Sequence, residues 1–504
     1  MKSIFKAVAT VTIFSVITRT LGFFFRIFLS RKLGAEGMGL YQMASSVLGI
    51  FMTLISSGIP LTTAKLVSKY ESQNELVKRN KVVTSALVVA LFVAVFSSIF
   101  ILILKSVWNI VLTDSRAVEI LIILIPSIIF SAIYAVFRGA LWGKNDYFSC
   151  GLTELLEQII RFALTFIMLL TISDFFVATK YSAIAFNITC LASAIITLFI
   201  YLKKGKLNFH KGEYKNVIKS AAPITGVRLA NSLVQPLTTL IIPTMLILSG
   251  YTTSEAVSSF GVIMGMTFPM LFVPMSIVGS ISMVLIPSIS SMMSKNDYTS
   301  IENNINNSIK VSTFISMLFI PLYLSVGNLI GIVLYDNALS GILLQLSAVC
   351  VLPITTCNLT GSILNALNME VKSFVNYIIG SVVLFVSLIV LTPIIQINSI
   401  IVSFFLSMTI ISLLNLHKIK KVVPNLNVSL VTTSFKYSLI IAPSSLLGHF
   451  ISNICLHAFT NFFSAVIGGA FAILSVVILA KIFNLFNFKD LLELLKKKKS
   501  KSKN

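Results

Sequence analysis

The sequence predicts an all-α integral membrane protein with fourteen transmembrane helices. Three observations carry this. Of 504 residues, 56% are hydrophobic and only 11% are charged, with a mean hydropathy of +0.95, whereas a soluble chain carries about 25% charged residues. Apolar runs near the length of a bilayer crossing, about 20 residues, recur from end to end. Lys and Arg gather in alternate connectors, as expected where those connectors are cytoplasmic.

The first stretch, residues 4–30, is apolar almost throughout and holds no Asp or Glu, yet it carries Arg19 and Arg26. Seven residues apart, the two lie on one helix face two turns apart. Thr12, Ser15, Gly22 and Ser30 share that stripe. An arginine at the bilayer centre costs roughly 2.5–3.5 kcal/mol on the insertion scale, so this seam should face a watery cavity or a partner. The bland alternative is that both arginines pair with carbonyls or with acids on another helix. The stretch is too long for a cleavable signal, and no small-residue cleavage site follows it.

The second stretch, 38–64, carries an uncharged stripe of Gln42, Ser45, Ser46, Gly49, Thr53 and Ser56; such small polar residues more often serve helix packing than binding. The third and fourth, 82–104 and 117–141, are apolar runs between charged connectors, the one after the fourth being read at 138–144. In the fifth, 154–173, Glu154, Glu157, Gln158, Arg161 and Thr165 share a face. Glu157 and Arg161 are spaced i, i+4 and can pair within the helix, which makes them either a neutralised structural pair or an ion or proton relay. The sixth is 181–202.

A basic cytoplasmic connector, 203–220, then separates an N-lobe (1–202) from a C-lobe (221–421). The seventh stretch, 221–249, aligns Thr225, Arg228, Ser232, Gln235 and Thr239, and Arg228 has no acid within a turn. Pro223, Pro236 and Pro243 punctuate it, and Pro269, Pro274 and Pro287 punctuate the eighth, 255–290. Interior prolines bend helices, and such bends suit helices that flank a transport cavity, although a passive kink explains any one of them. The next stretches are 307–334, 341–367, 371–393 and 398–417. Two more, 434–457 and 462–485, fall in the segment 422–485. A Lys-rich tail, 486–504, follows.

With the N-terminus placed in the cytoplasm, the inside connectors collect Lys65, Lys69, Lys78, Arg79, Lys81, Arg138, Lys144, Lys203, Lys204, Lys206, Lys211, Lys215 and Lys219, then Lys295, Lys310, Lys372, Lys418, Lys420, Lys421 and Lys436. The outside holds only Arg31, Lys32, Lys105, Arg116 and Lys180, against Glu36, Asp114, Glu119, Asp174, Glu255 and Asp336. Both termini are therefore expected inside. The formal charge of +22 would suggest nucleic acid in a soluble chain; here it follows from cytoplasmic loops and tail, and no nucleic-acid partner is expected. A faint repeat supports parallel lobes: Ile59-Pro60 with Ser68-Lys69 is echoed by Ile286-Pro287 with Ser294-Lys295, about six helices later. An even offset preserves topology.

Enzyme signatures are missing. His210, His417, His449 and His457 form no HExxH, no phosphate-cradling loop appears, and Cys150, Cys190, Cys350, Cys357 and Cys455 show no CxxC. No cofactor and no metal site is expected.

The motifs Thr18-Arg-Thr-Leu-Gly-Phe-Phe-Phe-Arg26, Leu33-Gly-Ala-Glu-Gly-Met-Gly-Leu-Tyr-Gln42, Phe137-Arg-Gly, Glu157-Gln-Ile-Ile-Arg161 and Pro223-Ile-Thr-Gly-Val-Arg228 resemble those of the stage V sporulation protein B family. That family lies within the multidrug/oligosaccharidyl-lipid/polysaccharide exporter superfamily and is similar to the lipid II flippases. The resemblance is specific in the N-terminal third and diffuse after about residue 300. It implies two six-helix lobes around a central cationic cavity plus two C-terminal helices, and Arg19 and Arg26 match the arginines of the flippases' first helix. One departure stands out. The flippases carry an Asp-Arg pair on the eighth helix, and Met264-Gly-Met-Thr-Phe268 here has neither; Arg228 can supply the charge.

The expectation is a flippase of the bacterial cytoplasmic membrane, not an enzyme. It would move a lipid-linked diphosphate oligosaccharide outward by alternating access, the resemblance implying lipid II for spore cortex. Substrate binding is assigned to Arg19, Arg26, Arg228, Gln42, Ser232 and Gln235, with Glu154, Glu157 and Arg161 as an ion site or structural pair. Its partners would be the lipid substrate, the bilayer and wall-synthesis enzymes. The alternatives are a cation-coupled multidrug antiporter of the same fold, needing a cavity carboxylate, and a non-transporting scaffold for wall synthesis.

Overall fold

A single glycine divides the first helix. In this computed structural model, which describes residues 2–209, 212–293, 297–423, 430–483 and 485, helix α1 runs Lys2–Ser56, and within it Gly34 takes φ 65°, ψ −173°. That backbone region is essentially reserved to glycine. With α2 (Gly58–Ser72), α1 belongs to an apolar helical run, Thr10–Ser72, of 63 residues. At 1.5 Å per residue this is about 95 Å, against a hydrocarbon thickness of about 30 Å, so the run is not one crossing.

The chain folds as two units, residues 1–247 with 251–261, and residues 248–250 with 262–504. The first unit continues with α3 (Leu76–Ile103), α4 (Lys105–Val111), α5 (Ser115–Gly143), α6 (Tyr147–Leu169), α7 (Phe175–Leu202), α8 (Tyr214–Ser232), α9 (Val234–Leu248) and α10 (Thr253–Gly261). Short connectors set the helix starts. Asp114, Asp146 and Asp174 each accept a backbone N–H, from Arg116, Ser149 and Val177, satisfying donors that helix starts leave open. Beyond Gly34, α1 packs on α10 backbone to backbone, since a Cβ at Gly39 would collide with the Val257 carbonyl. The connector to α8 is tied to α3: the Asn208 and Glu213 N–H groups donate to Thr84 Oγ1 (2.9 Å) and Ser85 Oγ (2.8 Å).

The second unit opens with a π-helical turn, Val262–Thr267, then α11 (Phe268–Leu271), α12 (Val273–Met293), α13 (Tyr298–Tyr335), α14 (Ala338–Ser347), a 3₁₀ turn (Ala348–Cys350), α15 (Val351–Ala366), α16 (Glu370–Ile395), α17 (Asn398–Val422), α18 (Leu430–Leu456) and α19 (Asn461–Ile482). Val278, Ile289, Ile305, Leu359, Ile363 and Ile419 form part of its core. Some of its buried polar groups are neutral and bond to one another: Asn376 Nδ2 donates to Asn415 Oδ1 (2.9 Å), and Asn415 Nδ2 to Thr360 Oγ1 (3.2 Å). Helices α18, α19 and α13 meet at small residues, where a Cβ on Gly448 would press on Ala472 Cβ at 2.7 Å, the Gly468 carbonyl at 2.9 Å and Ser325 Cβ on α13 at 3.0 Å.

Each of the fourteen expected stretches overlaps helix. Among the described residues ten helices are long and apolar enough to cross a membrane, or eleven if the pair bent by 45° at Phe272 is one span. The protein is thus a multi-pass integral membrane protein. Helix α6 has a spanning length of 23 residues but carries Glu154, Glu157 and Arg161. The connector read at 138–144 is helix instead. Helix α5 continues to Gly143, and the chain turns at 144–146, where Asn145 takes φ 58° and Asp146 caps α6. The tail at 486–504, His210, Lys211 and Lys295 lie outside the described residues.

Candidate functional site

The polar side chains of the first unit gather where α1, α5, α6 and α7 meet. The assembly follows from local chemistry. Before Gly34, α1 lies along α6 through aromatic contacts, Phe25 on Phe162 (6.0 Å) and Phe28 on Phe162 and Phe166 (5.7 and 5.4 Å between ring centroids). These fix the rotation of α1. Gly22, on the arginine stripe, then faces the Gln158 amide, with 3.6 Å between a Cβ at this glycine and Nε2. The cationic seam of α1 therefore lies against the polar face of α6.

Two ion pairs organise that face. Glu157 Oε1 pairs with Arg161 Nη2 within α6, and the Arg161 guanidinium sits 5.0 Å from the Phe186 ring centroid on α7. Glu154 turns to α5 instead, where its Oε2 lies 2.6 Å from Arg138 Nη2, with the Arg138 guanidinium 6.0 Å from the Tyr134 ring centroid. Tyr41, just past Gly34 on α1, lies in the electrostatic range of Arg161, Cys190 and Arg26. Ser131 Oγ on α5 donates to Cys190 Sγ on α7 at 3.7 Å. Two arginines thus stand with two carboxylates at this junction, held by rings and acids. Guanidinium forks match phosphate oxygens, so an entering phosphate can compete with the carboxylates for the same donors.

The other assigned residues are placed differently. Arg19 is exposed, one turn before Gly22 on α1. Arg228 is exposed on α8 and has no ion pair among the described residues; α8 packs on α1, α2 and α3. Ser232 Oγ donates to the Leu229 carbonyl (2.9 Å). Gln235 is exposed, and its carbonyl lies 3.1 Å from Thr239 Oγ1, which sits 2.8 Å from Ser46 Oγ on α1. Ser46 in turn donates to the Gln42 carbonyl (2.6 Å). The stripe of α1 beyond Gly34 thus meets α9 through hydroxyls, a packing contact. Sequence reasoning missed Arg138, Tyr134 and Tyr41. The first two are spaced i, i+4 on one face of the fourth span, a signal hidden once Arg138 was put in a connector.

The sequence pattern described as polysaccharide biosynthesis protein matches residues 4–293. Over 426 residues the chain is 24% identical to stage V sporulation protein B of Bacillus subtilis (strain 168), covering 81% of this chain and 82% of that protein. It is 23% identical over 412 residues to the lipid II flippase MurJ of the same organism, covering 74% of each. A solved structure described as lipid II flippase MurJ in an inward closed conformation superposes with a TM-score of 0.66 at 17% identity, covering 96% of this chain and 99% of that one. A multidrug resistance MATE family transporter of the MOP superfamily in an inward-facing conformation gives the same TM-score, 0.66, at 13% identity, covering 83% and 98%. At these identities the two structures speak to fold alone, and they are structures of transporters.

Proposed function

We propose, from the premise that the chain belongs to the polysaccharide biosynthesis protein family, that it is a flippase for a lipid-linked diphosphate oligosaccharide, of the lipid II class used for spore cortex. The observation that carries this is the cluster of Arg138 and Arg161 with Glu154 and Glu157, against which the arginine-bearing face of α1 is packed at Gly22. At an effective dielectric near 20 and 4 Å, one charge pair gives about 4 kcal/mol. Two or three guanidiniums therefore offset much of the cost of bringing a diphosphate into the membrane. Arg19, Arg228, Gln42, Ser232 and Gln235 complete the reading as further substrate contacts, with transport outward by alternating access.

The finer topology belongs to the same reading. Dividing the first long run at Gly34, joining the bent pair, and adding α6 and the α8–α9 pair gives fourteen crossings. Both termini are then cytoplasmic, in the cytoplasmic membrane of a bacterium, with lobes at 1–202 and 221–421. A cysteine introduced near Asp336 should label from outside and one near Lys204 should not; labelling of both from one side removes this topology.

A reconstituted flipping assay with lipid II, with and without an ion gradient or membrane potential, tests the function. The expected result is lipid II translocation above protein-free vesicles. Glu154 and Glu157 favour one second reading, a cation-coupled multidrug antiporter. It predicts movement of an organic cation against Na⁺ or H⁺, and no response to lipid II. A scaffold for wall-synthesis enzymes predicts undiminished function after Arg19 and Arg26 are both replaced.

A further inference from the structure

Toward the C-terminal end of α3, that helix and α1 form an apolar slot of about 270 Å³ lined by Phe51, Leu54, Phe92, Phe96, Ser97 and Phe100. The rings splay rather than close. Phe96 stacks on Phe100 (6.3 Å), Phe100 leans on Phe51 (6.2 Å), and Phe51 meets the Trp108 ring of α4 edge to face (6.4 Å, 87°). Phe92 is 72% exposed and Phe96 62% exposed, so the slot opens on the face that α3 turns to the bilayer.

Its depth is fixed by the helix. Phe92 and Phe100 lie eleven and three residues before Ile103, the end of α3, or about 17 and 5 Å along the axis. Half the hydrocarbon thickness is about 15 Å, so the slot fills the leaflet next to α4. Above it, residues 104–113 contain Lys105 and no acid, and Lys105 is exposed. One polar group of the wall lacks a partner among the described residues: Ser97 Oγ, on a residue only 1% exposed.

We infer that this slot is a binding site for one acyl chain of an anionic diacyl phospholipid, its phosphate at Lys105. A second protein helix fits poorly. Helix pairs in membranes approach through small residues, whereas this face presents Phe92, Phe96, Ile99 and Phe100. A narrow slot walled by phenylalanines takes an unbranched chain, and the lone positive charge at its mouth selects an anionic headgroup.

The test uses the full-length protein in phosphatidylcholine bilayers doped with phosphatidylglycerol bearing a photoreactive diazirine on its acyl chain, with adducts mapped by peptide mass spectrometry. The segment 92–100 should carry more adduct than the exposed but unslotted face of α16 at Val382, Val386 and Val390. Filling the slot with Phe96→Trp removes burial of two or so methylenes and should lower that adduct about tenfold. Lys105→Gln, which leaves the slot intact, should erase the preference for phosphatidylglycerol over a phosphatidylcholine probe. Labelling equal on α3 and α16, or unchanged in Phe96→Trp, overturns the site. Displacement of the probe by a polyprenyl phosphate but not by unlabelled phosphatidylglycerol overturns the acyl assignment.

Discussion

All eight arginines of the chain lie at or before Arg228, and the 276 residues that follow hold none. The first unit accordingly meets its intramembrane polarity with ions: Arg138 with Glu154, Arg161 with Glu157, and Arg26 near Tyr41. The second unit buries amides and hydroxyls. Asn376, Asn415 and Thr360 bond in a chain, Ser316 meets Thr355 at 2.6 Å, and Tyr323 donates to the Met270 carbonyl at 2.6 Å. Neutral polar pairs cost little to bury once satisfied, and they hold helices together. Guanidiniums are costly to bury, and a fold that keeps several on one side of its sequence has a use for charge there. On the proposed function, recognition of an anion falls to the first unit and mechanical integrity to both.

The contrast can be broken by substitution, and the largest effect should come from an orphaned ion. Arg161→Gln leaves Glu157 alone and should cost about 3 kcal/mol, the low end for breaking a buried pair, because both side chains keep 22% exposure. The double change to Gln at 157 and 161 should cost less than either single change, read by thermal unfolding in detergent. Next comes Gly39→Ala, whose methyl group meets the Val257 backbone; overpacking of this kind costs about 1–3 kcal/mol. In the second unit Asn415→Ala strips Asn376 of its acceptor, at about 1–2 kcal/mol. It should lower stability while leaving transport per folded molecule unchanged, and a specific transport loss there would erase the contrast.

The smallest effect is at Asp146, paired with Lys204 on the connector side. Burial pushes the Asp146 carboxyl up, but Lys204 and Ser149 outweigh it and hold it below its ordinary range. Its contribution is therefore complete above about pH 4 and lost as pH falls through the lowered value. With Lys204 half exposed, Asp146→Asn should cost less than about 1 kcal/mol at neutral pH.

Much of the fold was legible because membrane helices announce themselves by length and apolarity. The Glu157–Arg161 spacing was legible because it is local. The Glu154–Arg138 pair was not. It closes between helices sixteen residues apart, and a positively charged residue near a helix end reads as a loop residue under charge counting. Tyr41 was hidden for a related reason. It lies beyond the non-helical break at Gly34, and no periodicity reports that geometry. The ion-pair partners of α6 were thus set by tertiary packing, whereas the helix that carries them was set by sequence.

The central claim is anion recognition by the first unit, and one measurement tests it most directly: initial flipping rates of lipid II in vesicles for the wild type, Arg26→Ala and Arg26→Lys, each at matched amounts of inserted, folded protein. The account predicts that Arg26→Ala abolishes translocation. Arg26→Lys should restore only part of it, since an ammonium keeps the charge but lacks the bidentate fork. Wild-type rates in Arg26→Ala would contradict the account.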